Sequence, residues 1–295
     1  MEFLIFGIWS NETVEVSADA NDDTSPMEPI AYYKTAETSL MSREKLDGVE
    51  WTTLDALEIN PDERFVVYVK LVDYAGNVEY ISTNGIIVDA TAPSVESVKP
   101  EITITPEPAN GIYKSDVTIG VSVKDPKVGS DEAFAGLKEI RYEVYNMGVM
   151  TRSATLYSFE YTIENDQPLL KIYDSGETTD KNKAPEHSDL LPVWSNNAAI
   201  VVDAAENNSN DVRIVVYAVD NAGNEAEAEC NIKIDITAPK VEITYDNNDG
   251  DRSFSDGVYF DANRTAKIVV TERNFDPKML KLDITNTDGV IPAIG

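Results

Sequence analysis

Val69–Pro93 reads VKLVDYAGNVEYISTNGIIVDATAP, and Val216–Pro239 reads VYAVDNAGNEAEAECNIKIDITAP. Each runs through a β-branched stretch into Asp-x-Ala-Gly-Asn, then an alternating stretch, then Asp-x-Thr-Ala-Pro. A second motif occurs three times, as Gly7-Ile-Trp, Gly111-Ile-Tyr and Gly257-Val-Tyr, each followed by alternating apolar residues. Trp51 and Trp194 each stand upstream of an Ala-Gly-Asn turn. Ordered repetition of this kind marks an array of similar units.

The units are β. Ala226, Ala228, Cys230, Ile232 and Ile234 alternate with Glu225, Glu227, Glu229, Asn231 and Lys233. Ile140, Tyr142 and Val144 alternate with Glu139, Arg141 and Glu143 in the same way. A period of two places one set of side chains on a buried face and the other in water. Ala-Gly-Asn between two such runs supplies the permissive residues that a hairpin turn needs. No long stretch of helical period competes, and several short strands between turn signals favour a β-sandwich.

Composition narrows the partners. With 24 Lys+Arg against 53 Asp+Glu, the formal net charge is -29. Such a chain repels phosphate backbones and anionic lipid surfaces, which excludes nucleic acid as an expected partner. No apolar run reaches the ~18 residues of a membrane span, so no membrane insertion is expected in this segment. Cys230 is the one cysteine, so there is no intrachain disulfide framework. The opening MEFLIFGIW lacks a basic region and a small-residue cleavage site, so it does not read as a signal peptide. It begins inside a repeat, and the chain is expected to be part of something longer.

Asp-x-Ala-Gly-Asn followed by Asp-x-Thr-Ala-Pro resembles the bacterial immunoglobulin-like repeats of large cell-surface and secreted proteins. The stretch Thr271–Pro277, TERNFDP, is similar to one that recurs in such repeats. The resemblance covers nearly the whole chain and implies an all-β fold of tandem immunoglobulin-like β-sandwiches. On this reading residues 1–92 form a first domain lacking its own first strand. Residues 93–238 form a second with an insertion around 146–189, and residues 239–295 form a partial third. In the insertion, Tyr157–Ile163 and Leu169–Tyr173 look strand-forming, and Gly176–Asp189 looks like an exposed loop. The short Asp-x-Thr-Ala-Pro linkers, with proline holding its predecessor extended, predict domains set end to end with little lateral contact.

Catalysis has little to stand on. His187 is the one histidine, in a polar stretch that reads as a solvated loop, so neither a Ser-His-Asp nor a Cys-His constellation can be assembled. Cys230 falls on the apolar register of its strand and reads as a packing residue. A pair of carboxylates could serve glycoside hydrolysis, but among 53 acidic residues a suitable pair arises by accident. Trp51 and Trp194 could stack on sugars, yet their equivalent places in two repeats argue for a shared core residue.

The acidic residues are more pointed. In an immunoglobulin-type sandwich, the loops after the second strand and between the last two strands lie at the pole where the chain enters. Asp220 and Asn224 flank the last hairpin turn of the second domain, Asp125 follows its second strand, and the linker residue Asp89 arrives at the same pole. Carboxylate and amide oxygens from three segments are the hard ligands that calcium takes, six to eight oxygens at about 2.4 Å. Asp235 and Glu272 repeat part of the pattern in the third domain. The competing reading is that these residues shape turns and linkers through local hydrogen bonds.

The family implies a rod that spaces or projects a binding or catalytic head and is sometimes itself adhesive. The expectation is a non-catalytic structural or adhesive stalk, extracellular or at a bacterial cell surface, monomeric, facing a host or cell-surface protein or glycan. The alternative is an accessory or carbohydrate-binding region of a secreted carbohydrate-active enzyme or protease whose catalytic domain lies outside this chain.

Overall fold

The structure is a computed structural model that describes residues 6–101, 111–129, 133–246 and 265–281. The protein is all-β, and among the described residues no helix is long and apolar enough to cross a membrane. It divides into two compact units, Met1–Ile234 and Asp235–Gly295.

In the first part of the first unit the elements run β1 (Ile8–Ser10), β2 (Val14–Val16), β3 (Ala31–Thr35), the single turn α1 (Arg43–Leu46), β4 (Thr52–Thr53), β5 (Leu57–Ile59), β6 (Glu63–Val72), β7 (Val78–Ser82) and β8 (Ile86–Val88). One sheet has the order β1-β8-β6-β3-β4, with β7 on the second half of β6, and β2 pairs with β5 in a smaller sheet. The smaller sheet gives Val16, Leu57 and Ile59 to a core shared with Val67, Val69, Ile86 and Val88 of the larger one. The opposite face of β6, Val66 and Tyr68, is buried too, because the loop around α1 folds over it and Met41 N–H donates to the Tyr68 hydroxyl at 2.8 Å.

The second part continues with β9 (Ser94–Pro100), β10 (Ile112–Tyr113), β11 (Val117–Lys124), β12 (Leu137–Asn146), β13 (Val149–Glu164), β14 (Gln167–Asp174), β15 (Glu177–Lys181), β16 (Val193–Val202), β17 (Val212–Asp220) and β18 (Glu225–Ile234). Two sheets result, β16-β11-β9 and β10-β18-β17-β12-β13-β14-β15. Alternate residues of β11 and β16 meet Ile140, Tyr142, Val144, Ile214 and Val216 in one core. The two parts repeat each other in one further respect. The Gly-Ile-aromatic motif forms an initial strand parallel to the last one, β1 with β8 and β10 with β18. In the second unit β19 (Lys240–Asp246) pairs antiparallel with β20 (Thr265–Thr271). Gly257-Val-Tyr lies outside the described residues.

Four sequence expectations need correction. The first two parts are not laterally independent: Phe6, Leu46, Val66, Tyr68 and Ile87 belong to the same continuous core as the second part. The reason is the insertion, which widens the larger sheet and brings Phe159 and the 182–189 segment against residues 6–9. His187 accordingly is no solvated loop residue but lies half-buried between Phe6 and Phe134. Trp194 sits buried on β16, whereas Trp51 precedes β4 on a different sheet position, half-buried and stacked on Tyr80. They are not equivalent core residues. Finally, 177–181 of the expected loop is a strand, β15, which pairs residue for residue with β14 despite its polar side chains. Its backbone completes the ladder of β14, whose Leu170 is fully buried.

Candidate metal centre

The two Asp-x-Ala-Gly-Asn turns fold alike, down to single hydrogen bonds. In each, the Asn N–H donates to Oδ1 of the Asp, and the Asn amide nitrogen donates to Oδ2: Asn77 to Asp73 at 2.7 and 2.7 Å, Asn224 to Asp220 at 2.9 and 2.8 Å. Gly76 and Gly223 take φ of 88° and 92°, which only glycine adopts cheaply. The turn thereby holds an aspartate rigidly at the end of β6 or β17.

At the second turn this aspartate is not alone. Asp125 leaves β11 with its N–H donating to Pro192 O at 2.8 Å, and its Oδ2 accepts from Gly136 N–H at 2.6 Å. Asp89 continues β8, its N–H donating to Ser10 O at 2.8 Å. Its two carboxylate oxygens accept from Thr91 N–H at 3.0 Å and Ala135 N–H at 2.7 Å. One oxygen from each of Asp89, Asp125 and Asp220 lies within 4.8 Å of the others, and all three residues are fully buried. Among the described residues they are the one such group of three. Asp125 Oδ1 is buried without any hydrogen-bond partner.

Three carboxylates so placed cannot all ionise comfortably. At an effective dielectric near 20, each pair at this spacing repels by roughly 3 kcal/mol. Burial, reinforced by the Asp89 and Asp220 charges, pushes Asp125 up to about 8 against the single opposing Gly136 N–H. Burial also pushes Asp89 up to about 6, with the Asp220 and Asp62 charges adding to it and the Ala135 and Thr91 N–H groups opposing. Asp220 is raised by burial as well, less so because the Asn224 donors favour its ionised form. At neutral pH the metal-free site therefore keeps a proton on Asp125.

The donor set fits a hard cation. It is all oxygen, with no imidazole or thiolate in the group, which suits calcium, magnesium or manganese rather than zinc or copper. Oxygens around a calcium ion at about 2.4 Å can be no more than about 4.8 Å apart, and these meet that limit. Asp125 Oδ1, buried and unpartnered, is the group such an ion would satisfy. The triad would supply three of the six to eight oxygens.

Of the residues singled out from sequence, Asp89, Asp125 and Asp220 come together. Asn224 serves differently, as a donor: its amide nitrogen also bonds Asp89 O at 2.7 Å, tying the linker to the turn. Asp235 and Glu272 make no comparable group. Arg273 pairs with Asp235 at 3.0 Å, and Asn274 donates to it. These partners outweigh burial and hold Asp235 below the ordinary carboxylate range. Glu272 accepts from Asn274 N–H at 3.0 Å. Cys230 packs against the core, its thiol pushed up by burial to about 11, so it is no nucleophile at neutral pH.

Two supporting residues were not read from sequence. Asn221 donates its amide to Ala135 O and Gly136 O at 2.9 and 3.0 Å, fixing the loop whose N–H groups face Asp89 and Asp125. Gly136 has φ of 79°, and a Cβ there would lie 2.9 Å from Leu190 Cβ. Gly136→Ala is expected to destabilise the metal-free chain by about 3 kcal/mol in urea unfolding, from left-handed strain plus overpacking. A loss below a few tenths of a kcal/mol would mean the loop shifts freely. In sequence comparison, no family model and no curated protein matches the chain.

Proposed function

We propose that this chain is a non-catalytic structural and adhesive stalk segment of a bacterial cell-surface or secreted protein. On this reading it is built from tandem immunoglobulin-like β-sandwiches, and a calcium ion held by Asp89, Asp125 and Asp220 stiffens the first junction. The observation that carries the proposal is the burial of the linker aspartate, Asp89, among the loops of the part that follows it. A linker that only spaced two domains would leave its carboxylate in water. The parallel pairs β1 with β8 and β10 with β18 support a mechanical role. Each joins an initial to a final strand, so tension along the chain loads their hydrogen bonds together in shear rather than one at a time.

Single-molecule stretching of the full chain tests this. The expected result is a discrete force peak for the first unit, higher in calcium than in chelator. Extension without a peak would overturn the stalk reading. Isothermal titration is expected to give one calcium ion per chain, since Arg273 already neutralises Asp235. Two ions, or none, would overturn the assignment of the site.

A further inference from the structure

The insertion of the second part meets the first part through contacts that the cation site does not use. Phe6 is 1 % exposed; its N–H donates to Pro185 O at 2.9 Å, and its ring lies so close over Gly85 that no Cβ fits there. The same ring meets His187 edge-on, centroids 5.4 Å apart. His187 also meets Phe134 edge-on at 5.2 Å. Its Nε2 is 2.9 Å from Arg64 Nη1 on β6. A guanidinium only donates, so Nε2 accepts. Trp9 on β1 meets Phe159 on β13 at 6.3 Å, and Phe159 is buried. Phe159, Pro185 and His187 all belong to the insertion or the loop that closes it.

We propose that this insertion is an intramolecular brace, which fixes the angle between the first and second parts whether or not the cation is bound. Two parts joined at one place can still pivot about it, and relative motion is the default for adjoining domains with small interfaces. A second fastening through different elements removes the pivot. Aromatic pairs with edge-to-face geometry stabilise beyond the area they bury, and the burial of Phe6 and Phe159 adds to that. Together these suffice to hold a joint closed without metal. The inference rests on reading the chain as a stiff spacer but not on the presence of calcium.

The test is a spin-label distance between Asp55→Cys and Glu227→Cys, both exposed positions, in the full chain carrying Cys230→Ala. Measurements are made with calcium and with chelator. The unaltered joint is expected to give one narrow distribution in both conditions. His187→Ala, and separately Phe6→Ala, are expected to broaden it about twofold in chelator and to narrow again in calcium. Circular dichroism confirms that each variant keeps its β content, and Phe6→Ala and His187→Ala must agree, so a folding failure in one does not decide the matter. A metal-free parent as broad as the variants would show that nothing but the cation sets the angle and overturn the brace. Variants as narrow as the parent in chelator would overturn it too. If calcium does not bind at all, the chelator arm still decides the brace, which separates its failure from that of the metal site.

Discussion

Replacing Asp125 by asparagine is expected to stabilise the metal-free chain at pH 8 and to abolish its response to calcium. Asparagine is close to the shape of a protonated aspartate, and its Oδ1 can accept the Gly136 N–H that Asp125 Oδ2 accepts now. In the parent, burial and two neighbouring carboxylates raise Asp125 to about 8, so the folded chain holds a proton there that the unfolded chain releases. A group whose folded pKa is raised contributes its full stability below the unfolded value and loses it as pH climbs through the folded one. From pH 5 to pH 8 that loss is on the order of 4 kcal/mol for a shift of this size. The asparagine has no proton to lose at that position, so over this window its metal-free stability should fall only by the smaller share that Asp89, raised to about 6, and Asp220 lose as they ionise. At pH 8 it should exceed the parent's by a similar amount in urea unfolding. Calcium should then shift its midpoint little, because the unpartnered oxygen has become an uncharged amide group. A variant less stable than the parent at pH 8 in chelator would show that Asp125 is not carrying strain from unpaired charge.

Calcium is expected to stabilise the parent strongly at pH 8 and far less at pH 6. An ion that binds only the folded state at a hundred times its dissociation constant adds about 2.7 kcal/mol. For a unit of 234 residues that is a rise of about 5–10 °C in the thermal midpoint. At pH 6 the ion must displace the proton of Asp125 and about half a proton from Asp89, given values of about 8 and about 6. Affinity should therefore fall about 100-fold between pH 8 and pH 6. The signs of the two effects are opposite, since the metal-free chain gains stability on acidification while the calcium increment shrinks. The calcium and chelator profiles should converge toward acid and diverge toward alkali. Calorimetric titration at pH 6 in buffers of different ionisation enthalpy should report between one and two protons released per ion. Equal affinity at the two pH values, with no proton release, would place the ion elsewhere.

Much of this site could be read from residue order. Alternation in β12 and β18 identified their buried faces, and the structure buries Ile140, Tyr142, Val144, Ile232 and Ile234 as expected. The linker Asp89, the strand-end Asp125 and the turn Asp220 were expected at one pole and do converge there. The reason such things are legible is that they are local. A period of two follows from the pleat of a single strand, and an Asp-x-Ala-Gly-Asn turn is closed by bonds spanning four residues.

What depends on which distant surfaces meet was not legible. His187 lies in a segment without periodicity, and its partners Phe6, Arg64 and Phe134 are remote in the chain. Nothing in residue order marks an edge-to-face ring contact, so a polar neighbourhood suggested water where the fold supplies two phenylalanines. Trp51 and Trp194 look equivalent by spacing, but Trp194 is buried on β16, whereas Trp51 lies before β4 outside any strand and packs half-buried against the same core. Asp235 and Asp89 occupy the same place in their linkers and carry opposite shifts: Arg273 and Asn274 hold one ionised, whereas burial among carboxylates raises the other. Residue order by itself determined that this is a β protein with recurring turn motifs and an aspartate, Asp89 or Asp235, at the head of each Asp-x-Thr-Ala-Pro stretch. The tertiary structure decided which of those acids are stripped of water and which find a cation within the chain, because desolvation depends on every atom brought around a group and not on the residues beside it.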